Sequence, residues 1–517
     1  MDLYWILKKV SATGILVDRE QRSTFRSRLL NELEEKRKDL DSLVPPHLCR
    51  QKDFPRTPLP FRCEECKGNG LIKKRDQCSA CEGTGAKIRE DFAGDNRVGR
   101  VPRSTDIFPC ELPGGRGEYY ARNVTDSGKI EWAFRWYFNS KSTHQVRAYI
   151  RSKGHPVPKD KKSKKDTTGQ RQLELLARRY KDPFYPKVLE IRSISDLLSK
   201  YADNQWWEPA EDGRIHPNFS FVPSTGRLSS SRPNIQNPVK RGELGKEFRK
   251  QFIASPGMIL VGIDFNSIEA VLTGYFAKDK DFIKIAKLSI HAILASHYLK
   301  KLGKSNEPIS MNWDEDKIIT TIRMIKKRFP GEYSKSKSIV YLSLYGGAPA
   351  MIFDQNPGVF DSIEECKQLQ DMFFSTLAVK IKKWQSDVLD QAHRKCYLEN
   401  PYGQRHYFWD ILNYDGWDYI NNEAKYKLGT QAKDCLAFLP QSTAASIYKE
   451  VMVKLRPELV DYLRAPIHDE LLFELPENEK DELISEIVSA METPIPELKG
   501  LTIGVEAAYG KSWGEMS

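Results

Sequence analysis

The sequence predicts an α+β protein organised around an antiparallel sheet, and three observations carry that expectation. Met258, Ile259, Leu260, Val261 and Ile263 form an apolar, largely β-branched run that reads as a buried strand delivering one carboxylate, Asp264, at its end. Ala465 to Leu475 (APIHDELLFEL) reads as strand, tight turn and strand, with His468, Asp469 and Glu470 at the bend. Helical spacing recurs around these strands, in Ile268, Val271, Leu272 and Tyr275 directly after Asp264, and in Phe25, Leu29, Leu33 and Leu40 near the start.

By itself Asp264 reads as a helix cap. A second strand-end carboxylate changes that reading. Asp264 and Asp469 come from distant parts of the chain, and two such groups side by side are what two magnesium ions about 3.5–4 Å apart require for in-line phosphoryl displacement.

The totals set the frame. A chain of 517 residues suggests three or four domains, and 40% hydrophobic content suffices for a large core. No run approaches the roughly 20 apolar residues of a membrane span, and the first residues (MDLYWILKKVSATG) lack a signal-peptide cleavage site, so a cytoplasmic protein is expected. The 81 basic against 70 acidic residues give a net charge of +11, which favours a polyanionic partner. Nine cysteines are too few and too scattered for a disulfide scaffold.

Along the chain, residues 1–48 offer a short apolar segment, a strand-like Ile15-Leu16-Val17 and a charged helix that Pro45-Pro46 ends. Asp18-Arg19-Glu20 mimics the Asp-x-Glu of a proofreading exonuclease, but no room precedes it for a nuclease fold and a plain helix follows. Residues 61–90 contain Cys63-x2-Cys66, eleven residues, then Cys78-x2-Cys81. Four thiolates in paired CxxC turns suit one tetrahedral Zn2+, and Gly68, Gly70, Gly83 and Gly85 let backbone NH groups turn toward sulfur. The units CEECKGNG and CSACEGTG resemble repeats of the DnaJ zinc-binding domain, which implies a structural zinc fold and carries no chaperone activity with it. Arg151 to Lys165 is a dense basic loop whose Lys161, Lys162, Lys164 and Lys165 suit a sequence-independent grip on phosphates, although such runs are commonly solvated surface.

The remaining motifs fall into an ordered set. Ser224 to Pro238 (STGRLSSSRPNIQNP) is too polar for a core strand and suits groove edges and sugar oxygens. Lys337, Tyr341 and Tyr345 are spaced i, i+4, i+8, so one helix face carries a cation and two rings, ended by Gly346. Such a stripe is often core, but an unpaired buried lysine is costly, and a triphosphate at the lysine with a base and sugar against the rings satisfies all three. Together with Asp264-Phe265-Asn266-Ser267-Ile268-Glu269 and His468-Asp469-Glu470, these strings resemble the ordered motifs of family A, Pol I-like DNA polymerases.

That resemblance implies a right-handed thumb, palm and fingers with an antiparallel palm sheet, and a template-directed polymerase that joins dNTPs to a primer 3′ end. Asp264 and Asp469 would hold two Mg2+ ions, with Glu470 beside them. Lys337 would bind the triphosphate, Tyr341 the sugar and base, and Tyr345 the templating position. Glu269 would disfavour a 2′-hydroxyl. Arg227, Asn237, Gln441 and His468 would contact primer-template DNA, and Arg249 and His291 match phosphate-proximal positions. The pattern departs from the family at Tyr333, where an arginine is usual, leaving Lys335 or Arg328 to meet the γ-phosphate. Ala437 stands where asparagine is common. His468-Asp469-Glu470 is the form of DNA polymerases and argues against single-subunit RNA polymerases.

The expected domains are 1–60, an N-terminal palm/thumb segment; 61–90, the zinc module; 91–215, thumb; 216–280, palm; 281–400, fingers; and 401–517, palm. No exonuclease domain is expected, since the chain begins where one would end. Proofreading or processivity would then come from a separate polypeptide, and the compact form resembles a bacteriophage replication enzyme in the host cytoplasm. A second reading is a DNA-binding scaffold with a degenerate polymerase core and a partner-recruiting zinc module; Tyr333 favours it, while intact Asp264, Asp469 and Lys337 oppose it.

Overall fold

The computed structural model describes residues 2–45, 48, 51–52, 71–72, 76–77, 107–112, 115–124, 130–136, 138–160, 163–221, 223, 225–238, 242–418 and 423–516. Cys63, Cys66, Cys78, Cys81, Lys161 and Lys162 lie outside the described residues. The chain forms two compact units, one of Met1–Arg26 with Tyr201–Ser517 and the other of Ser27–Lys200.

The first unit is built on a four-stranded antiparallel sheet of β1 (Met258–Phe265), β2 (Leu463–Ile467), β3 (Glu470–Pro476) and β4 (Val505–Gly510), in the order β2-β3-β1-β4. Alternation along the strands explains its position. Ile259, Val261, Ile263 and Phe265 of β1 are at most 5% exposed and share one core with Leu471, Phe473 and Leu475 of β3. On the opposite face Glu474 is buried, but it is paired: Arg464 Nε donates to it at 2.6 Å, the Ser255 NH at 2.5 Å, and Arg214 lies 3.5 Å away. That network anchors the end of the sheet remote from Asp264.

Helices cover the sheet's core face and extend from it. The strand-to-helix junction expected after Asp264 is present, with α1 (Ile268–Phe276) beginning three residues past Phe265. Next come α2 (Ile290–Lys301), α3 (Glu315–Arg328) and α4 (Pro330–Leu344), with α2 packed on α4 and α3 against both. Pro330 starts α4 where its missing NH costs nothing. Gln385 Nε2 donates to the Ser343 and Leu344 carbonyls (2.8 and 2.9 Å), satisfying groups the helix end leaves free. Gly346 then takes φ +72°, and a Cβ there would fall 2.8 Å from Leu436 on α5 (Ala432–Lys454), so this stop requires glycine.

The Asp18 side chain accepts from the backbone NH groups of Glu20 (2.9 Å) and Gln21 (3.0 Å), capping the helix Arg19–Leu43. The exonuclease-like triplet is therefore a helix start.

The second unit contains the helices Thr143–Ser152, Gln170–Tyr180 and Phe184–Leu197 and the antiparallel strands Ile107–Leu112, Gly115–Val124 and Ile130–Trp136. Tyr149 stacks on Phe184 at 3.5 Å, and His155 Nδ1 meets the Tyr185 hydroxyl at 2.6 Å. The basic segment begins inside a helix, since Arg151 belongs to Thr143–Ser152, and it closes through a Lys159–Asp166 bridge. Lys164 and Lys165 are exposed. Among the described residues, no helix is long and apolar enough to cross a membrane.

Candidate active site

Strand register brings the carboxylates together. Asp264 is the direct cross-strand partner of Glu470, and the Phe265 NH donates to the Asp469 carbonyl at 3.2 Å. Opposite residues of paired strands project to the same face, so Asp264 and Glu470 stand side by side. The turn between β2 and β3 is only His468 and Asp469, with His468 at φ +59°. A non-glycine residue in that conformation is uncommon and clusters at functional sites. Across the other edge of β1, Asp264 pairs with Glu506 of β4, a third acidic residue in the same row.

Beside this row lies a cavity of about 270 Å³. Its walls come from the loop residues Arg227 and Leu228, from Phe265 at the end of β1, from Ile268 and Glu269 at the start of α1, from Tyr341 of α4, from Ala444, Ala445 and Tyr448 of α5, and from the turn residues His468 and Asp469. Glu269 is its most constrained member. Arg227 and the Tyr345 hydroxyl both bond its carboxylate, and Gln441 adds a further hydrogen bond. Burial raises the Glu269 pKa above its ordinary value; Arg227 opposes the shift and Asp469 adds to it. Tyr341 is 56% exposed and meets Tyr345 edge to face at 5.6 Å, so the ring pair expected from the i, i+4, i+8 spacing is formed.

One turn before Tyr341, Lys337 is exposed on α4. Nearby His291 of α2 keeps an inaccessible Nδ1 without a hydrogen-bond partner and packs edge to face on Tyr333 at 6.2 Å. Burial lowers the His291 pKa to about 4, with the charges of Lys337 and Lys326 acting in the same direction. Lys335 is instead engaged with Glu365 (2.6 Å) and Asp361 (3.6 Å). Arg328, the last residue of α3, is exposed and lies over Phe329.

Other sequence-predicted residues are more distributed. Arg249 sits over the Trp513 ring at 5.8 Å; burial lowers its pKa and the charge of Glu470 opposes the change. Asn237 is exposed, and its carbonyl accepts from the Tyr201 hydroxyl at 3.0 Å. Three residues beside the site were not singled out in the sequence, although the last lies in the polar stretch Ser224–Pro238. Tyr448 is buried under the turn, Glu506 faces Asp264 through register, and buried Gln236 ties the polar loop to β2 by donating to the Pro466 carbonyl at 3.3 Å.

Among the described residues, no three His, Cys, Asp or Glu side chains form a ready-made metal cage. Magnesium takes one or two carboxylates and completes its shell with water and substrate phosphates, so Asp264 and Asp469 are a donor set that fits it.

A profile of DNA polymerase family A matches residues 123–308 and 322–515, and the chain belongs to that family. It is 28% identical over 392 residues to the thermostable DNA polymerase I of Thermus aquaticus, covering 73% of this chain and 42% of that one. The DNA polymerase I of Deinococcus radiodurans is 29% identical over 392 residues, covering 73% of this chain and 36% of that one. The chain thus spans less than half the length of these curated relatives. A solved structure of the POL domain of Pol1 from M. smegmatis, in complex with DNA primer-template and dNTP, has the same fold, with a TM-score of 0.66 at 21% identity. That match covers 99% of this chain and 69% of the other.

Proposed function

We propose that the chain is a template-directed DNA polymerase that adds dNTPs to a primer 3′ end by two-metal-ion phosphoryl transfer. The observation that supports this reading is that Asp264 pairs with Glu470 while the next residue, Phe265, donates its NH to the Asp469 carbonyl, so that both aspartates belong to adjoining strand ends beside a cavity walled by Glu269, Arg227 and Tyr341. Asp264 and Asp469 would hold two Mg2+ ions, with Glu470 next to them. Bound there, magnesium supplies Lewis-acid polarisation of the α-phosphate and a lowered pKa for the primer hydroxyl. Lys337 offsets charge developing on the pyrophosphate, and Tyr341 and Tyr345 take the nucleotide and the templating position. Glu269, held from three sides, leaves no room for a ribose 2′-hydroxyl. Arg227, Asn237, Arg249, Gln441 and His468 contact primer-template, and Lys161, Lys162, Lys164 and Lys165 add phosphate grip.

In this reading residues 216–280 and 401–517 are palm, 281–400 fingers and 91–215 thumb. Cys63, Cys66, Cys78 and Cys81 bind one structural Zn2+. The short antiparallel pair Leu71–Ile72 with Asp76–Gln77 supports this, because it folds the chain back at a point that lies in the sequence between the two CxxC motifs. The expected setting is replication of phage DNA in the host cytoplasm, for which the family resemblance of the sequence is the support.

The test is Asp469→Asn. It removes one anionic metal ligand while keeping the size of the side chain, and should abolish primer extension with primer-template affinity largely retained. Appreciable extension by that variant refutes the assignment.

A further inference from the structure

Two lysines two residues apart on α4 have opposite surroundings. Lys335 is neutralised by Glu365 and Asp361, whereas among the described residues Lys337 meets no carboxylate within ion-pair distance. The same holds for Lys326 of α3, whose ammonium lies over the Tyr333 ring, 5.9 Å from its centre. Tyr333 is a fixed platform, because its hydroxyl is hydrogen-bonded to Ser289 and its ring abuts His291. Tyr333 and Lys337 are one helical turn apart, so both cations lie along the same side of α4, where the His291 ring meets Tyr333. Among the described residues the buried Nδ1 of His291 has no hydrogen-bond partner, so this imidazole keeps an unsatisfied polar atom beside the two lysines. Two cations that meet no carboxylate among the described residues and an unsatisfied imidazole, contributed by three helices, describe a site for a compact polyanion.

We propose that Lys326 supplies the cation for the terminal phosphate of the incoming nucleoside triphosphate, alongside Lys337 and His291. This rests on the polymerase reading and adds a residue to it. Lys335 is already paired, and Arg328 lies over Phe329 on the neighbouring residue, which leaves Lys326 as the cation aimed at the Tyr333–His291 corner. The consequence is selectivity for three phosphates over two.

The test uses the full chain with primer-template whose primer ends in a dideoxynucleotide, so that binding is read without chemistry. Dissociation constants are measured for the matching dNTP and dNDP. Lys326→Ala should weaken dNTP binding about tenfold and change dNDP binding by less than about twofold, the scale of one charge-assisted phosphate contact. Lys326→Arg should keep the triphosphate preference, and Lys326→Gln, which retains length without charge, should behave as the alanine variant does. Equal weakening of both nucleotides, or unchanged binding of both, overturns the assignment. Should the unaltered protein fail to extend an ordinary primer, the polymerase reading itself falls. Extension by it together with a preserved dNTP preference in Lys326→Ala defeats only the role of Lys326.

Discussion

The phenolic hydroxyl of Tyr448 donates a hydrogen bond to the backbone carbonyl of Glu470 at 2.6 Å. Tyr448 is 4% exposed, and its ring lines the cavity under the His468–Asp469 turn. Burial raises its pKa far above the ordinary tyrosine value, and Asp469, Glu470 and Asp264 reinforce the shift, so the group remains a neutral donor. A helix in the second half of the chain thereby holds the first residue of β3 and, through a two-residue turn, the carboxylate before it.

Tyr448→Phe keeps the ring and deletes that bond. We expect a stability loss of about 1 kcal/mol, the usual net worth of a single hydrogen bond. The maximal extension rate should fall about tenfold, because a small displacement of a positioned group is costly in the transition state. Single-turnover extension at saturating dNTP, beside primer-template binding, measures it. An unchanged rate with unchanged binding would show that the turn holds Asp469 without help.

Glu269 is held by Arg227, Tyr345 and Gln441, and in the proposed polymerase reading that hold keeps its carboxylate against the incoming sugar. Glu269→Ala is expected to reduce the preference for dNTP over rNTP by about tenfold or more, since the space the carboxylate fills then opens to an added hydroxyl. Tyr345→Phe should loosen the same preference less, because Arg227 and Gln441 still hold the carboxylate. The ratio of kcat/KM for the two nucleotides is the readout, and equal ratios in Glu269→Ala and the unaltered protein would remove Glu269 from sugar selection.

What the sequence made legible was local. Periodicity placed β1 and the strand-turn-strand at Asp469, and the i, i+4, i+8 stripe with its terminal glycine placed α4. Register is not a local property, so nothing before the fold linked Glu506 to Asp264. Tyr448 was hidden for another reason: α5 is buried around most of its circumference between Cys435 and Met452, so its apolar residues form no narrow stripe that singles out one tyrosine. Lys335 and Lys337 show the limit most plainly. They are the same residue type on one helix, about 200° apart around its axis, and only the packing of Glu365 reveals which is already neutralised.

His291 offers a pH signature that needs no substrate. Its pKa falls from the ordinary 6.5 to about 4 because burial, and then Lys337 and Lys326, penalise the charged imidazolium. The native state thus binds fewer protons than the unfolded chain between those two values, so its stability drops as the pH falls through that window and is unaffected above it. The shift corresponds to a loss of about 2 kcal/mol at pH 5 relative to pH 7.5. His291→Gln cannot take up a proton and should lose that component, giving a flatter profile. Urea midpoints for the two proteins at pH 7.5 and pH 5 measure the difference. Parallel profiles would mean that the folded protein accommodates the imidazolium, and that the corner formed by Lys326, Tyr333 and Lys337 is less hostile to positive charge than its geometry requires.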